Sequence, residues 1–171
     1  MRRRQATFLT AVMAGLTLLS SAGVATAASA SDSTQEEVDA ILVEHPGGAQ
    51  TGKDSITWSN GVVLELDTGE AADDACPQDS MCLWDDQNYT GRMVEIPGSL
   101  CGLGFIFNLK DYGFNDMASS WLSTTRGLSN KYGTVWWDYD ALGGKLWQML
   151  PGLKAPTLPA EFNDEASSVT C

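Results

Sequence analysis

The chain has 171 residues, with 10 Lys+Arg against 22 Asp+Glu, a formal charge of −12 and a single histidine. So acidic a protein is a poor partner for nucleic acid or an anionic lipid surface. The one imidazole, His45, precedes a proline in the N-terminal segment, a poor place for a triad base, and leaves no second for a histidine metal site, and the length suits one domain with an appendage or two very small domains.

The first residues read as a secretory leader, residues 1–27. Arg2, Arg3 and Arg4 form a positive start, residues 8–19 are apolar, and Ala25-Thr26-Ala27 or Ala28-Ser29-Ala30 fits a small-residue cleavage site. The apolar run is short for a bilayer span, so the expectation is a secreted, extracellular protein with no membrane partner. Its removal leaves seven basic and 22 acidic residues, a formal charge of −15.

Residues 28–70 then form a helix-hairpin segment. The pattern predicts a helix over 31–45, capped by Ser33 or Thr34, with Glu36 and Glu37 in its first turn and Val38, Ile41 and Leu42 on one apolar stripe. Pro46-Gly47-Gly48 ends it, with His45 a cation at its C-terminal end. Two β-rich runs, 55–58 and 62–66, flank Ser59-Asn60-Gly61, a strong hairpin signal. The segment is too small to bury its own core, so it packs on the main domain or is later removed. Residues 68–74 are Gly- and acid-rich and read as a linker.

From Cys76 onward the texture is short strands and frequent turns. Strands are expected near 81–84, 92–96, 105–107, 119–122, 134–137, 145–150 and 167–171, with turns at Pro97-Gly98 and Pro151-Gly152. With no helical run between them, residues 71–171 imply an all-β sandwich or barrel. These seven, with one more in the second unit, would make eight strands in two units of four and fit two Greek keys. The tryptophans of this region are mostly core, because aromatics dominate burial in small domains. Trp136-Trp137 is the exception, since neighbours on a strand face opposite sides. All four cysteines, Cys76, Cys82, Cys101 and Cys171, lie here, and an even count in an exported chain argues for two disulfides. Three pairings are open. One of them closes a tight loop with Cys76 and Cys82 and leaves Cys101 to tie to Cys171.

The unit is internally repeated. Phe114-Asn115-Asp116-Met117-Ala118-Ser119-Ser120 returns as Phe162-Asn163-Asp164-Glu165-Ala166-Ser167-Ser168, identical at six of seven positions. Upstream of each copy, Trp84 to Gly91 aligns with Trp137 to Gly144: an aromatic, four residues, a large apolar residue, one more residue and glycine. Asn, Asp and Ser in one bend supply several of the six to eight hard oxygens that calcium takes, and the same residues also satisfy tight turns without metal. The acids show no spacing that nominates a glycosidase pair, no phosphate-cradling glycine loop opens a helix, and oxidised cysteines are not nucleophiles. The chain reads as a non-enzyme.

These paired motifs resemble the Greek-key signature of microbial, calcium-binding βγ-crystallins. More narrowly, Cys76-Pro77-Gln78-Asp79-Ser80-Met81-Cys82-Leu83-Trp84 through Gly91-Arg92, with the close from Asp111 to Ser120, resembles the domains of peptidase inhibitor family I36. The resemblance implies a βγ-crystallin-like sandwich of two Greek-key motifs, preceded by the short helix and β-hairpin. It implies a secreted, monomeric inhibitor of an extracellular protease, most of all a metalloprotease, on a calcium-binding scaffold. The competing reading is a calcium-stabilised extracellular structural or binding module with no protease target. Each calcium ion would take Asn or Asp oxygens and a serine hydroxyl from the closing heptapeptides, used reciprocally, which carries over Asn115, Asp116, Ser119, Asn163, Asp164 and Ser167 by position, with a backbone carbonyl near Asp85 or Asp138 completing each set. The Cys76 to Cys82 loop is suitably preorganised to inhibit. The second half has no compact Cys-to-Cys loop, so the resemblance carries no reactive bond onto this chain.

Overall fold

The computed structural model describes residues 30–66, 75–126 and 132–171. The expected leader and the 68–74 linker lie outside the described residues. One α-helix, α1 (Ala30–Glu44), precedes eleven strands: β1 (Gly48–Gln50), β2 (Ser55–Trp58), β3 (Val63–Glu65), β4 (Ser80–Trp84), β5 (Met93–Pro97), β6 (Ile106–Asn108), β7 (Ser120–Ser123), β8 (Gly133–Trp136), β9 (Lys145–Met149), β10 (Lys154–Ala155) and β11 (Ser168–Thr170). Ser33 and Thr34 lie within α1 rather than capping it.

The strands form two antiparallel sheets. One has the order β1-β2-β3-β5-β4-β7-β10 and the other β6-β11-β8-β9. In the first repeat β4 and β5 pair as a hairpin, β6 crosses to the second sheet, and β7 returns beside β4. The second repeat does the same in mirror fashion: β8 pairs β9, β10 crosses to the first sheet beside β7, and β11 returns between β8 and β6. Each repeat is thus a four-strand Greek key that lends its third strand to its partner's sheet. The fold is all-β apart from α1.

The helix-hairpin segment is an integral part of the first sheet. β3 pairs with β5 in the register Val63↔Glu95, Leu64↔Val94, Glu65↔Met93. Val38, Ile41, Ile56, Trp58, Val62 and Leu64 join Met81, Leu83, Val94, Ile96, Trp121, Val135 and Val169 in one buried cluster. The Arg92 guanidinium also donates to the Glu37 carboxylate, tying α1 to the start of β5. The segment cannot bury Ile56 and Leu64 alone, so it completes its core on the repeats.

β4 is buried along its whole length. Its alternation explains how: Met81 and Leu83 face the main core, while Cys82 and Trp84 face a smaller cluster with Cys76, Tyr89, Met93 and Leu122. The disulfides are Cys76–Cys82 and Cys101–Cys171, with Cα separations of 5.9 and 4.5 Å. The second ties the chain between β5 and β6 to the residue after β11.

Candidate metal centre

The two Asn-Asp closes meet across the pseudo-twofold relation of the repeats. Asp116 N donates to Ala166 O and Asp164 N to Ala118 O, both at 3.0 Å. Leu109 N donates to Ser167 O and Leu158 N to Ser119 O, both at 2.9 Å. Both aspartates hold left-handed backbone, with φ of 52° at Asp116 and 58° at Asp164. Aspartate is among the few non-glycine residues that take this conformation readily.

These turns bring six of the expected ligands together, and they do so crosswise. Ser167 Oγ lies 3.0 Å from Asp116 Oδ1, and Ser119 Oγ lies 3.4 Å from Asp164 Oδ1. Within each turn the asparagine amide donates to the neighbouring carboxylate at 2.6 Å, Asn115 to Asp116 and Asn163 to Asp164. That leaves Asn115 Oδ1 and Asn163 Oδ1 buried with no hydrogen-bond partner. A buried, unpaired amide oxygen is a costly arrangement that ordinarily has a reason. Here it recurs in both copies beside a carboxylate and a hydroxyl, and a hard cation would satisfy each one. The two aspartates are exposed, so an ion could reach them directly. A cavity of about 420 Å³ lined by Gln87, Leu158, Ala160, Asn163 and Asp164 adjoins one turn. Among the described residues no three His, Cys, Asp or Glu side chains converge on one point. The donor set is therefore mostly neutral oxygen, which suits calcium and gives little of the charge that makes binding tight.

From the hairpins the expected ligand is a backbone carbonyl near Asp85 or Asp138, and the side chains of these two residues are engaged within their own hairpins. Asp85 Oδ1 accepts from Arg92 N at 2.7 Å, and Asp138 Oδ1 accepts from Tyr139 N at 2.8 Å. Both carboxylates serve their own hairpins. Burial raises the Asp85 pKa above the usual carboxylate range, opposed by the Arg92 N–H bond. The two residues are not equivalents either. Ser119 N donates to Trp84 O and Ser167 N to Trp136 O, while Ser120 Oγ donates to Asp86 O and Ser168 Oγ to Asp138 O. The left-handed pairs Asn88-Tyr89 and Asp140-Ala141 fall in the same register. Trp84 therefore corresponds to Trp136 and not Trp137, and the counterpart of Asp138 is Asp86. Trp137, which the sequence alignment placed opposite Trp84, is exposed, and Trp84 is fully buried. Ala141 stands where Tyr89 does, and Leu142 and Gly144 beside it fit the repeated motif one residue late. Gln87, two residues on from Asp85, is the hairpin residue that lines the cavity. Only its offset from Trp84 could have pointed to it.

The conserved geometry of the hairpins depends on glycine. At Gly91, with φ of 78°, a Cβ would fall 2.1 Å from Asp85 Oδ1, and at Gly143 it would fall 2.4 Å from Asp138 Cβ.

Residues 69–135 match the model of peptidase inhibitor family I36, a family of inhibitors rather than of enzymes. That stretch holds the Cys76–Cys82 loop, the first repeat and the start of the second. Among solved structures, a chain described under the evolution of the eye lens βγ-crystallin domain fold is 18% identical, with a TM-score of 0.47 over 64% of this chain and 95% of that one. A βγ-crystallin domain from Clostridium beijerinckii is 20% identical, with a TM-score of 0.41 over 53% and 94%. A βγ-crystallin from Ciona intestinalis is 25% identical, with a TM-score of 0.40 over 53% and 96%. No curated protein matches the chain.

Proposed function

We propose that this protein is a secreted peptidase inhibitor, directed at an extracellular metalloprotease, on a scaffold that binds calcium at its two Asn-Asp turns. The family match over residues 69–135 carries the inhibitor reading. Inhibition would be reversible and non-catalytic: a rigid surface occludes the protease cleft, and rigidity limits the ordering cost of binding. The two disulfides accord with an oxidising compartment. We take residues 1–27 as a leader and residues 28–70 as a retained part of the mature, monomeric protein, because β3 is paired to β5.

The test is a titration of the purified protein against secreted proteases, including a thermolysin-like metalloprotease, a subtilisin-like serine protease and a papain-like cysteine protease. The expected result is stoichiometric loss of metalloprotease activity. Full activity of every protease at excess protein would refute the inhibitor reading.

A second reading rests on the twin orphan amide oxygens of Asn115 and Asn163 alone: a calcium-stabilised extracellular module with no protease target. Calcium itself belongs to both readings. One ion would use Asp116, Asn115 and Ser167, the other Asp164, Asn163 and Ser119. The ion would neutralise the paired oxygens and cross-link the repeats, and backbone carbonyls and water would complete its shell. At ten times Kd each site would stabilise by about 1.4 kcal/mol. Superimposable melting curves in calcium and in EDTA would end the metal assignment.

A further inference from the structure

The inhibitor reading leaves open which surface enters the protease. Rigid exposed loops are the candidates, and the chain has two disulfide-anchored ones. The Cys76–Cys82 loop offers little to a cleft. Its exposed residues are Pro77 and Gln78, and it is pinned to the domain. The Thr124 hydroxyl donates to Pro77 O, and Gly98 N donates to Asp79 O at 2.6 Å.

The other segment is different in each respect. Residues 102–105 run Gly-Leu-Gly-Phe and lead into β6. Leu103 is 67% exposed, Phe105 48% and Ile106 45%. Three large apolar side chains left in water within four residues mark an interaction site more often than chance. The stretch from Cys101 to Phe107 carries no charge in a chain of net −12, so its burial desolvates no ion. Both ends are held on one short stretch of β11 and its continuation: Cys101 is bonded to Cys171, and Ile106 pairs with Thr170. Gly102 and Gly104 take left-handed φ of 82° and 74°, which lifts Leu103 between them. Finally, among the described residues β6 is an edge of its sheet and pairs only with β11. An edge strand can add its free backbone groups to a protease's own edge, the way extended peptides bind.

We propose that residues 102–106 are the inhibitory segment, with Leu103 and Phe105 as anchors, and that the partner is a secreted endopeptidase whose specificity pocket takes a large apolar side chain. The proposal rests on the inhibitor reading and assigns it a surface. Interface energy concentrates in a few apolar anchors seated in pockets, so the effect of removing one is large.

The test uses the full mature chain. Leu103→Asp and Phe105→Asp are compared with wild type and with Gln78→Asp in the other loop. The readouts are the inhibition constant against whichever panel protease the wild type inhibits, the melting temperature and the oligomeric state. The expected result is a loss of inhibition of at least about 30-fold for Leu103→Asp and Phe105→Asp. Gln78→Asp should stay within about threefold, and Leu103→Asp should melt as wild type because its side chain is exposed. Leu103→Met should retain inhibition, which separates loss of an apolar anchor from general damage. Wild-type inhibition by both aspartate variants would overturn the proposal and leave the inhibitor reading intact. So would a wild-type dimer that Phe105→Asp makes monomeric with inhibition unchanged, since the patch would then be a contact between copies. A wild type that inhibits nothing in the panel overturns both, and does so before any variant is measured.

Discussion

Ser120 and Ser168 occupy equivalent positions, yet their replacement by alanine is expected to have unequal effects. The Ser120 side chain is fully buried. Its hydroxyl donates to Asp86 O at 2.7 Å and accepts from Tyr89 N at 3.1 Å. Ser120→Ala therefore removes the hydroxyl's bond to the N–H of Tyr89, a residue only 7% exposed that holds a left-handed φ of 62°. Removing one partner of a buried hydrogen bond costs about 1–3 kcal/mol. Asp86 is exposed, so its carbonyl can turn to water. With the lost hydrogen bond the total comes to about 2–3 kcal/mol. In Ser168→Ala the released N–H belongs to the half-buried Ala141 at a longer 3.3 Å, and Asp138 is exposed. Water can replace both bonds, and the loss falls to about 1 kcal/mol. For a chain of this size each kcal/mol shifts Tm by roughly 3–4 °C. The expected drops are about 8 °C for Ser120→Ala and about 3 °C for Ser168→Ala, measured by calorimetry in EDTA so that metal does not enter. If Ser168→Ala loses as much as Ser120→Ala, the reasoning from solvent access to the hairpins is wrong.

Four further outcomes are expected. Glu65 on β3 has its pKa raised, first by burial and then by Asp54 and Glu95. Its charge is thus unfavourable in the folded state, and stability present at low pH is lost as pH rises through the folded pKa. Glu65→Gln should raise Tm at pH 7 by about 1–2 °C, discounted for solvent screening, and have no effect below about pH 4; an equal gain at both would contradict the assignment. Leu64→Ala removes a fully buried side chain opposite Val94 and should lower stability by about 2–5 kcal/mol in urea unfolding, as a core substitution should although it lies outside the repeats. Gly91→Ala places a Cβ 2.1 Å from Asp85 Oδ1 at φ of 78° and should destabilise by more than about 1 kcal/mol, whereas Gly152→Ala, which meets nothing within 4 Å, bears only the backbone strain. Replacing both Cys101 and Cys171 by alanine reopens a span of 70 residues and should cost about 4 kcal/mol, against roughly 2 for Cys76 with Cys82.

Much of the fold was legible from local pattern. Alternating apolar residues marked β4, β5 and β9 within a residue or so of their ends, and Asn60-Gly61 marked the turn between β2 and β3. Strands β1 and β10, of three and two residues, carry too little pattern to be seen; Lys154 and Ala155 become a strand only because β7 is beside them. Of the candidate site, the twin Asn-Asp turns and a reciprocal use of the two motifs were expected from sequence, whereas the meeting of Asp116 with Ser167 and of Asp164 with Ser119 was decided by tertiary contact. The equivalence of Trp84 with Trp136 was not legible, because Ala141 stands where Tyr89 does and Leu142 and Gly144 beside it fit the motif one residue late.

The amino-acid sequence by itself determined that this is a repeated, disulfide-bonded all-β chain with two oxygen-rich closing turns, since each of those features is written in residues a few positions apart. Which strand lies beside which was decided by tertiary structure. The exchange of β6 and β10 between sheets, the fusion of the helix-hairpin segment to β5, and the stapling of residues 102–105 against β11 all join residues tens of positions apart. Local periodicity reports which face of a strand is buried, and it holds no information about the partner that buries it. Long-range register is set by the whole core closing at once, and that closure is what leaves Leu103 and Phe105 in water while Phe107, two residues on, is buried.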